Sequence, residues 1–526
     1  MRVVDETGIR EFIDRPGSAG VSDPAVDMTA GLPVAADGDA LRELRGSDGE
    51  TCGPTGGVRD PRRTGRLGPG PSPRHGVPRL LLPGSAVASV GAATDHDDRR
   101  TCDLLQSPGH PVVVFAHSNL AQFRTLHEYL NRSGLATSYL LCSENNYRRH
   151  REAIPNLVPF QPHGGKLKSD DSFYYLTRVE GANRRSLGLL KSIQTLQSRT
   201  RIDLFVGHVT AGSPSLLFGE VDFPIVTYLE YPSFHAHGWD AQYPPPDIKI
   251  RRDRNFEMLT WYSVLRSDHA LVPSEYARKL FPEALQSKIS VLMEGFDLAQ
   301  WDAAPPDAAQ RKTNSIPVLD SAGGYPVVGF AARDLSSAKG FEQFVRIANR
   351  IAQVRPDVRF VVLGSAEKLL YSYENHFLED TYGAGNSPSF RDYVLEKHGA
   401  ERWRFTFPGL LPYEEFARVV SRIDLFLYPL QSGSANWGLY ELLGRGRIVI
   451  GSNRCFVPEA ITDGVNGFLC DYDNIEDWVS RAIEILDDPA AYRSIGDTAR
   501  RICRRNSIES VADEFLRLRE QVWTQH

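Results

Sequence analysis

From residue 111 onward, short apolar, β-branched runs alternate with segments whose apolar positions recur at helical spacing. Pro111-Val-Val-Val-Phe-Ala116 is a run of the first kind, as expected of a strand buried on both faces. After a polar loop, Phe123, Leu126, Tyr129 and Leu130 fall on one helical face, and Gly134 closes that helix. Residues 202–206, 225–229, 269–272 and 289–293 predict further strands. A second series follows the polar, Pro-containing stretch 302–314, with strands predicted at 327–331, 358–363, 405–407, 424–428, 448–450 and 467–469. Two successive strand–helix series predict an α/β protein of two doubly wound, Rossmann-like domains facing across a cleft. The expected boundaries are 107–305 for the first domain, 306–490 for the second, and 491–526 for a C-terminal helix able to return to the first. No repeat of solenoid length is visible.

Composition changes this picture only at the front. The first 100 residues hold 16 of the 44 glycines and 10 of the 34 prolines, and Phe12 is their single aromatic residue. Such a stretch buries too little apolar surface to offset the entropy of ordering it, so 1–106 reads as a disordered extension. A regulatory tail and an over-long start both fit. The rest is ordinary globular stock, with 41% hydrophobic and 24% charged residues. A net charge of -6 gives no basis for general nucleic-acid binding. No run approaches the roughly 18 apolar residues of a membrane span, and Met1-Arg-Val-Val-Asp-Glu does not read as a secretory leader. Six cysteines without a Cys-x-x-Cys pair argue against a disulfide framework or structural zinc. The expected setting is cytoplasmic.

Doubly wound sheets bind ligands at the carboxyl ends of their strands, and two places there carry chemistry. In Gly329-Phe-Ala-Ala-Arg-Asp-Leu-Ser-Ser-Ala-Lys-Gly-Phe341, a strand gives way to a turn holding Arg333 and Lys339. That pair can hold a diphosphate, the one as a planar fork and the other as a point charge, or can be solvated surface charge. In Tyr428-Pro-Leu-Gln-Ser-Gly-Ser-Ala-Asn-Trp-Gly-Leu-Tyr-Glu441, a strand ends in a Gly/Ser/Asn loop that opens a short helix. A helix start favours a phosphate, and Glu441 can accept hydrogen bonds from a ribose diol or serve as a helix-surface charge.

These segments, in this order, resemble the nucleotide-sugar half of the family 4 retaining glycosyltransferases, which have the GT-B fold. The resemblance covers roughly 112–512 and leans towards a bacterial surface-polysaccharide and exopolysaccharide branch. It rests on Ala121-Gln-Phe-Arg124, Tyr228-Leu-Glu-Tyr-Pro232, Arg254-Asn255, Asp268-His-Ala-Leu-Val-Pro-Ser-Glu-Tyr276 and Glu294-Gly-Phe-Asp297 in the first half. In the second half it rests on Tyr382-Gly383, Leu411-Pro-Tyr413, Trp437-Gly-Leu-Tyr-Glu441, Val449-Ile-Gly-Ser452 and Pro458-Glu-Ala-Ile-Thr-Asp-Gly-Val-Asn-Gly467.

The resemblance implies roles. Arg333 and Lys339 neutralise the donor diphosphate, and Glu441 is the second glutamate of the family's Glu-x7-Glu motif, holding the ribose. Ser434 and the backbone around Asn436, Trp437 and Gly438 meet the sugar or distal phosphate. His208 matches a histidine facing the donor sugar. The loop 117–123, with Asn119 and Gln122, closes over the phosphates and touches the acceptor. Glu230 could orient an acceptor hydroxyl or be a hydrogen-bonded structural acid. Asp240 and Glu294 match branch positions without an assigned role. Two departures stand out: Gly433 occupies the place of the first Glu-x7-Glu glutamate, and Ala121 that of a usual glycine.

The implied reaction moves a sugar from a nucleoside-diphosphate sugar to a hydroxyl on a glycan, lipid-linked sugar or small molecule. It needs no divalent metal or other cofactor, because cations and a helix dipole stabilise the leaving diphosphate. Peripheral contact with the inner face of the membrane is open through Arg500, Arg501, Arg504 and Arg505, whose alternative is a solvated helix face. The rival readings are glycosylation of a secondary metabolite and a catalytically silent nucleotide-sugar-binding protein of the same fold.

Overall fold

The computed structural model describes residues 110–526 except 166, 168–172, 233–237, 302–318, 320–323, 368 and 370–372. The expected extension 1–106 and the stretch 302–314 lie outside the described residues.

The first sheet has seven strands: β1 (Val112–Ala116), β2 (Thr137–Ser143), β3 (Leu157–Phe160), β4 (Leu204–His208), β5 (Ile225–Tyr228), β6 (His269–Val272) and β7 (Ile289–Val291). Their order is β3-β2-β1-β4-β5-β6-β7, and every pair is parallel. The second sheet has six: β8 (Val327–Asp334), β9 (Arg359–Ser365), β10 (Phe405–Gly409), β11 (Leu425–Tyr428), β12 (Val449–Ser452) and β13 (Phe468–Cys470). Their order is β10-β9-β8-β11-β12-β13, again all parallel. In each sheet the chain winds outward from the middle, returns and winds out on the other side. The reversals fall between β1 and β4 and between β8 and β11, where loops diverge and leave a crevice.

Eleven of the strands, β1 and β4 to β13, lie within three residues of the segments predicted from apolar runs. β2 and β3 do not appear among the predictions. Thr137-Ser-Tyr-Leu-Leu-Cys-Ser143 mixes polar and apolar positions, and Pro159 interrupts β3. The topology explains the proline, because β3 is the sheet's edge and can spare a donor.

The helices used below are α1 (Arg124–Ser133), α2 (Thr177–Gln197), α3 (Asp247–Arg266), α4 (Glu275–Lys279), α5 (Phe341–Val354), α6 (Tyr373–Tyr382), α7 (Trp437–Gly444) and α8 (Ile508–Gln525). Gly134 ends α1 in the left-handed region at φ 68°, where its amide reaches the Leu130 carbonyl. The segment after residue 491 divides. Ala499 and Cys503 pack with Tyr440 in the second half, whereas Val511, Phe515, Leu518 and Val522 of α8 are buried with Phe115 and Phe123 in the first. Paired backbone bonds fix the crossing: Phe296 N to Asn506 O and Ile508 N to Phe296 O, each 2.9 Å.

Side chains also cross between the halves. Tyr243, 2% exposed, belongs to the core of the second half, with its ring against Phe377 and Phe390 and its hydroxyl donating to Glu342. Glu459 accepts from the amides of Glu275 and Tyr276 at the start of α4. These contacts hold the two sets of strand ends in register with each other.

Candidate active site at the strand ends

The second sheet contributes two loops. The first runs from β8 to α5 and carries Arg333 and Lys339. Gly340 sits at φ 86°, and a Cβ there would lie 1.6 Å from the Pro429 carbonyl oxygen, so only glycine lets this loop pass so close to the end of β11. The guanidinium of Arg333 donates to Asp334 Oδ2 from Nε (3.3 Å) and Nη2 (3.1 Å). Buried Glu374, on α6, accepts from the Ser337 amide at 2.7 Å and the Ser337 hydroxyl at 2.6 Å. The Lys339 ammonium makes no hydrogen bond or ion pair among the described residues. Burial lowers its pKa, Arg333 lowers it further, and Asp334 and Glu230 pull it back up.

The second loop, from β11 to α7, brings Ser434, Asn436, Trp437 and Gly438 beside the first, since β8 and β11 are neighbours. Asn436 is the N-cap of α7, and its side chain accepts from the Gly438 amide at 2.8 Å. That amide is therefore committed to the cap rather than open to a ligand. The Ser434 carbonyl accepts from the Ser274 hydroxyl in the first half. The Trp437 indole donates to Glu294 Oε2 at 3.0 Å, and Tyr228 donates to Glu294 Oε1, making Glu294 a strut between the halves.

Glu441 lies deeper than an open ribose grip requires. It is 1% exposed, and its Oε1 accepts from Arg445 Nε (3.1 Å) and Nη2 (3.0 Å). The i,i+4 spacing on α7 puts the two side chains on one face, and the surrounding core closes over them. Glu441 and Trp437 still line a small hollow with Thr125, Phe296, Asp297 and Trp301.

The first sheet contributes neutral groups. His208 ends β4, and its Nδ1 accepts from the amides of Thr210 (3.2 Å) and Ala211 (3.3 Å). Backbone amides only donate, so the neutral ring carries its proton on Nε2. Burial, helped by Arg185, holds His208 down at about 4. His117, directly after β1, has the same arrangement: its Nδ1 accepts from the Asn119 amide at 3.1 Å, and burial with His208 keeps it neutral. The two rings meet edge-on with centroids 4.9 Å apart. His117 escaped sequence reasoning as an individual residue. The available signal was that it and His208 each stand at the carboxyl end of a buried strand, immediately before a turn.

Leu120, rather than Ala121, holds the left-handed position of the first loop, at φ 63°. Its side chain is buried in the first core, which holds it there. Gln122 donates to Glu230 Oε1 at 3.0 Å. Burial raises the Glu230 pKa, while Gln122, Lys339 and Arg333 lower it. Glu230 of the first half therefore feels both cations of the second. The fold thus brings Arg333, Lys339, Glu230 and Gln122 into one electrostatic neighbourhood, sets Asn119, His117 and His208 at the first sheet's reversal, and joins Trp437 to Glu294. Among the described residues, no cluster of three or more His, Cys, Asp or Glu side chains could hold a metal ion. No helix among them is long and apolar enough to cross a membrane.

Two all-parallel sheets with facing reversal points define the GT-B class of glycosyltransferase folds. The profile described as "Glycosyl transferase family 4 group" matches residues 136–301, and "Glycosyl transferases group 1" matches 311–502. The chain belongs to the family 4 glycosyltransferases. The spore coat protein SA of Bacillus subtilis is 26% identical over 252 residues, covering 46% of this chain and 60% of that protein. A GDP-mannose-dependent alpha-mannosyltransferase of Corynebacterium glutamicum is 26% identical over 195 residues, covering 37% and 38%. The chain thus spans less than two thirds of the length of these curated relatives. Among solved structures, sucrose-phosphate synthase of Thermosynechococcus elongatus superposes with a TM-score of 0.58 at 14% identity, over 80% of this chain and 100% of that one. Anabaena HepE, in complex with UDP-glucose, gives 0.55 at 14% identity, over 78% and 100%. At such identities these structures establish the fold.

Proposed function

We propose that this chain is a retaining, metal-independent glycosyltransferase that moves a sugar from a nucleoside-diphosphate sugar to a hydroxyl, in surface polysaccharide or glycoconjugate biosynthesis. The observation that carries the reading is Lys339, an ammonium without an anionic partner in hydrogen-bonding contact among the described residues, held beside Arg333 at the reversal point of the second sheet. A desolvated cation in that place calls for an anion, and a donor diphosphate supplies one.

In the reaction, the anomeric C–O bond breaks with its electron pair going to the diphosphate, and the acceptor oxygen bonds to the anomeric carbon and gives up its proton to the departing phosphate oxygen. Positive charge develops on the ring and negative charge on the departing phosphate, where Lys339 and Arg333 stabilise it. His208, neutral with Nε2–H outward from its anchored Nδ1, can donate to a sugar hydroxyl without adding a charge that would oppose the ring's. Glu230 is placed to accept from the acceptor hydroxyl, and Gln122 orients it. Glu441 acts on the ribose only if the ligand draws it from Arg445 or shares it. The relatives named above, a mannosyltransferase and a structure holding UDP-glucose, support a nucleotide-sugar donor.

The test is thermal stabilisation of the purified chain by UDP-, GDP-, dTDP- and ADP-sugars. A donor at 100 times its dissociation constant adds about 2.7 kcal/mol. A selective shift, abolished by Arg333→Ala, is the expected result, and proton NMR of the transfer product assigns the anomer. No shift with any donor and no transfer would leave the silent binding reading in its place.

A further inference from the structure

Arg185 is a cation that the reaction just described does not use. It lies in the first half of α2, whose N-terminal end packs near the carboxyl ends of the strands because a crossover helix runs antiparallel to them. The residue is half-buried, and among the described residues only Nε of its five N–H groups has a partner, the Thr210 carbonyl at 3.1 Å. Thr210 is two residues beyond His208, so this bond fixes the guanidinium at the end of β4.

Among the described residues, its surroundings lack a compensating acid. The charged neighbour is another cation, Arg178, and burial together with Arg178 brings Arg185 down to about 10, still charged at neutral pH. The nearby carboxylate, Asp253 on α3, already takes Arg178 at 2.7 Å and Arg252 at 3.1 Å. Arg184, next in sequence, spends its charge on Glu180 at 2.7 Å. Arg185 forms no ion pair among the described residues.

Beside it, His208 and His117 both have Nδ1 taken by backbone amides, which leaves Nε2–H as a donor on each ring. This corner of the first half therefore offers a planar cation and two neutral donors. The acceptor group Glu230, bonded by Gln122 of the first loop, is on the side that feels Lys339. A surface of donors with an uncompensated guanidinium complements a ligand rich in acceptor oxygens and carrying negative charge.

We infer that the sugar acceptor is anionic, with a phosphate or carboxylate that Arg185 binds through its free Nη groups. This rests on the glycosyltransferase reading and deepens it. The donor diphosphate is held by the second half, the acceptor's anion by the first, and the receiving hydroxyl falls between them near Glu230.

The test uses the full chain with its donor site filled by the nucleoside diphosphate chosen in the donor panel, UDP in the first instance. Inorganic phosphate, and acetate in a parallel arm, are titrated calorimetrically at constant ionic strength. Saturable binding with the nucleotide in place, weakened about tenfold or more by Arg185→Gln, is expected, since a charged hydrogen-bonded contact is being removed. The two arms tell phosphate from carboxylate. Arg185→Lys, which retains charge and a donor for Thr210, should fold like the parent and recover part of the affinity. In the transfer assay, glycerol 3-phosphate and glycerate should outcompete glycerol, and inositol phosphate should outcompete inositol, with Arg185→Gln raising the acceptor KM and sparing the donor KM. Absence of saturable anion binding, binding indifferent to Arg185→Gln, or equal use of neutral acceptors overturns the inference. Phosphate binding lost in Arg185→Gln by a protein that binds no nucleotide would keep the anion site and sink the transferase reading instead.

Discussion

The two sheets share one winding plan but place different chemistry at their reversal points. At the second, the groups are charged and close in sequence: Arg333 and Lys339 lie six residues apart on one turn, with Ser434–Trp437 on the adjacent loop. At the first they are largely neutral and far apart: His117 and His208 are 91 residues apart, Gln122 and Glu230 are 108. Under the proposed function, the difference follows from what each would do. Charge stabilisation of a diphosphate is strong and tolerant of geometry, so a single loop with two cations suffices. Hydrogen-bonding a sugar and an acceptor hydroxyl needs groups fixed in direction and protonation, which only burial and backbone anchoring provide.

If that contrast is right, substitutions on the two sides should differ in kind. The largest effect is expected from Lys339→Ala or Arg333→Ala, which should lower kcat by about 10²-fold or more while leaving the melting temperature near that of the parent. Full activity in either variant removes the charge-stabilisation half of the comparison. Gly340→Ala tests the loop itself. With its Cβ forced against the Pro429 carbonyl at φ 86°, it should destabilise the protein by about 2–4 kcal/mol in chemical denaturation and lower activity through Lys339.

Glu374→Ala should be milder. Glu374 touches Ser337, two residues before Lys339, so its loss should raise the donor KM about tenfold and leave the acceptor KM unchanged. Glu374→Gln keeps an acceptor oxygen and should restore most of the affinity. An equal effect on both KM values would mean general loosening instead of a positioned loop.

The smallest effects are in the pH dependence of stability, and they have opposite signs. His208 titrates at about 4 in the folded protein and near 6.5 when exposed, so between those values the unfolded chain takes up a proton that the folded one refuses. Its contribution is full above pH 6.5 and is lost as pH falls towards 4. Glu294 is pushed up to about 7 by burial against an ordinary 4.5, so the folded protein keeps a proton that the unfolded chain releases. Its contribution is present below pH 4.5 and is lost as pH rises to 7. Melting temperatures from pH 4 to 8 should therefore fall less steeply towards acid in His208→Asn, and decline less between 4.5 and 7 in Glu294→Gln. Identical profiles in parent and variants would contradict the burial argument for both.

Much of this architecture was legible in residue order. The apolar runs predicted eleven of the thirteen strands, because a strand covered on both faces cannot hide its pattern. β2 was obscured by alternating polar residues and β3 by a proline that only an edge position excuses. The motifs likewise disclosed Arg333, Lys339 and the loop through Trp437, which owe their proximity to adjacent turns. Glu441 shows the limit: its identity and spacing were visible, but not that Arg445 would hold it in a closed core.

Sequence alone therefore determined which segments are strands and helices, that they form two doubly wound series, and which cations stand at strand ends. These are local properties, set by periodicity and by turn chemistry. Tertiary structure alone decided the protonation of His117 and His208, the sharing of Glu294 by Tyr228 and Trp437, the anchoring of Tyr243 in the opposite half, and the lack, among the described residues, of a compensating acid around Arg185. Each depends on desolvation and on partners distant along the chain, and burial is a property that no residue possesses until the others have packed around it.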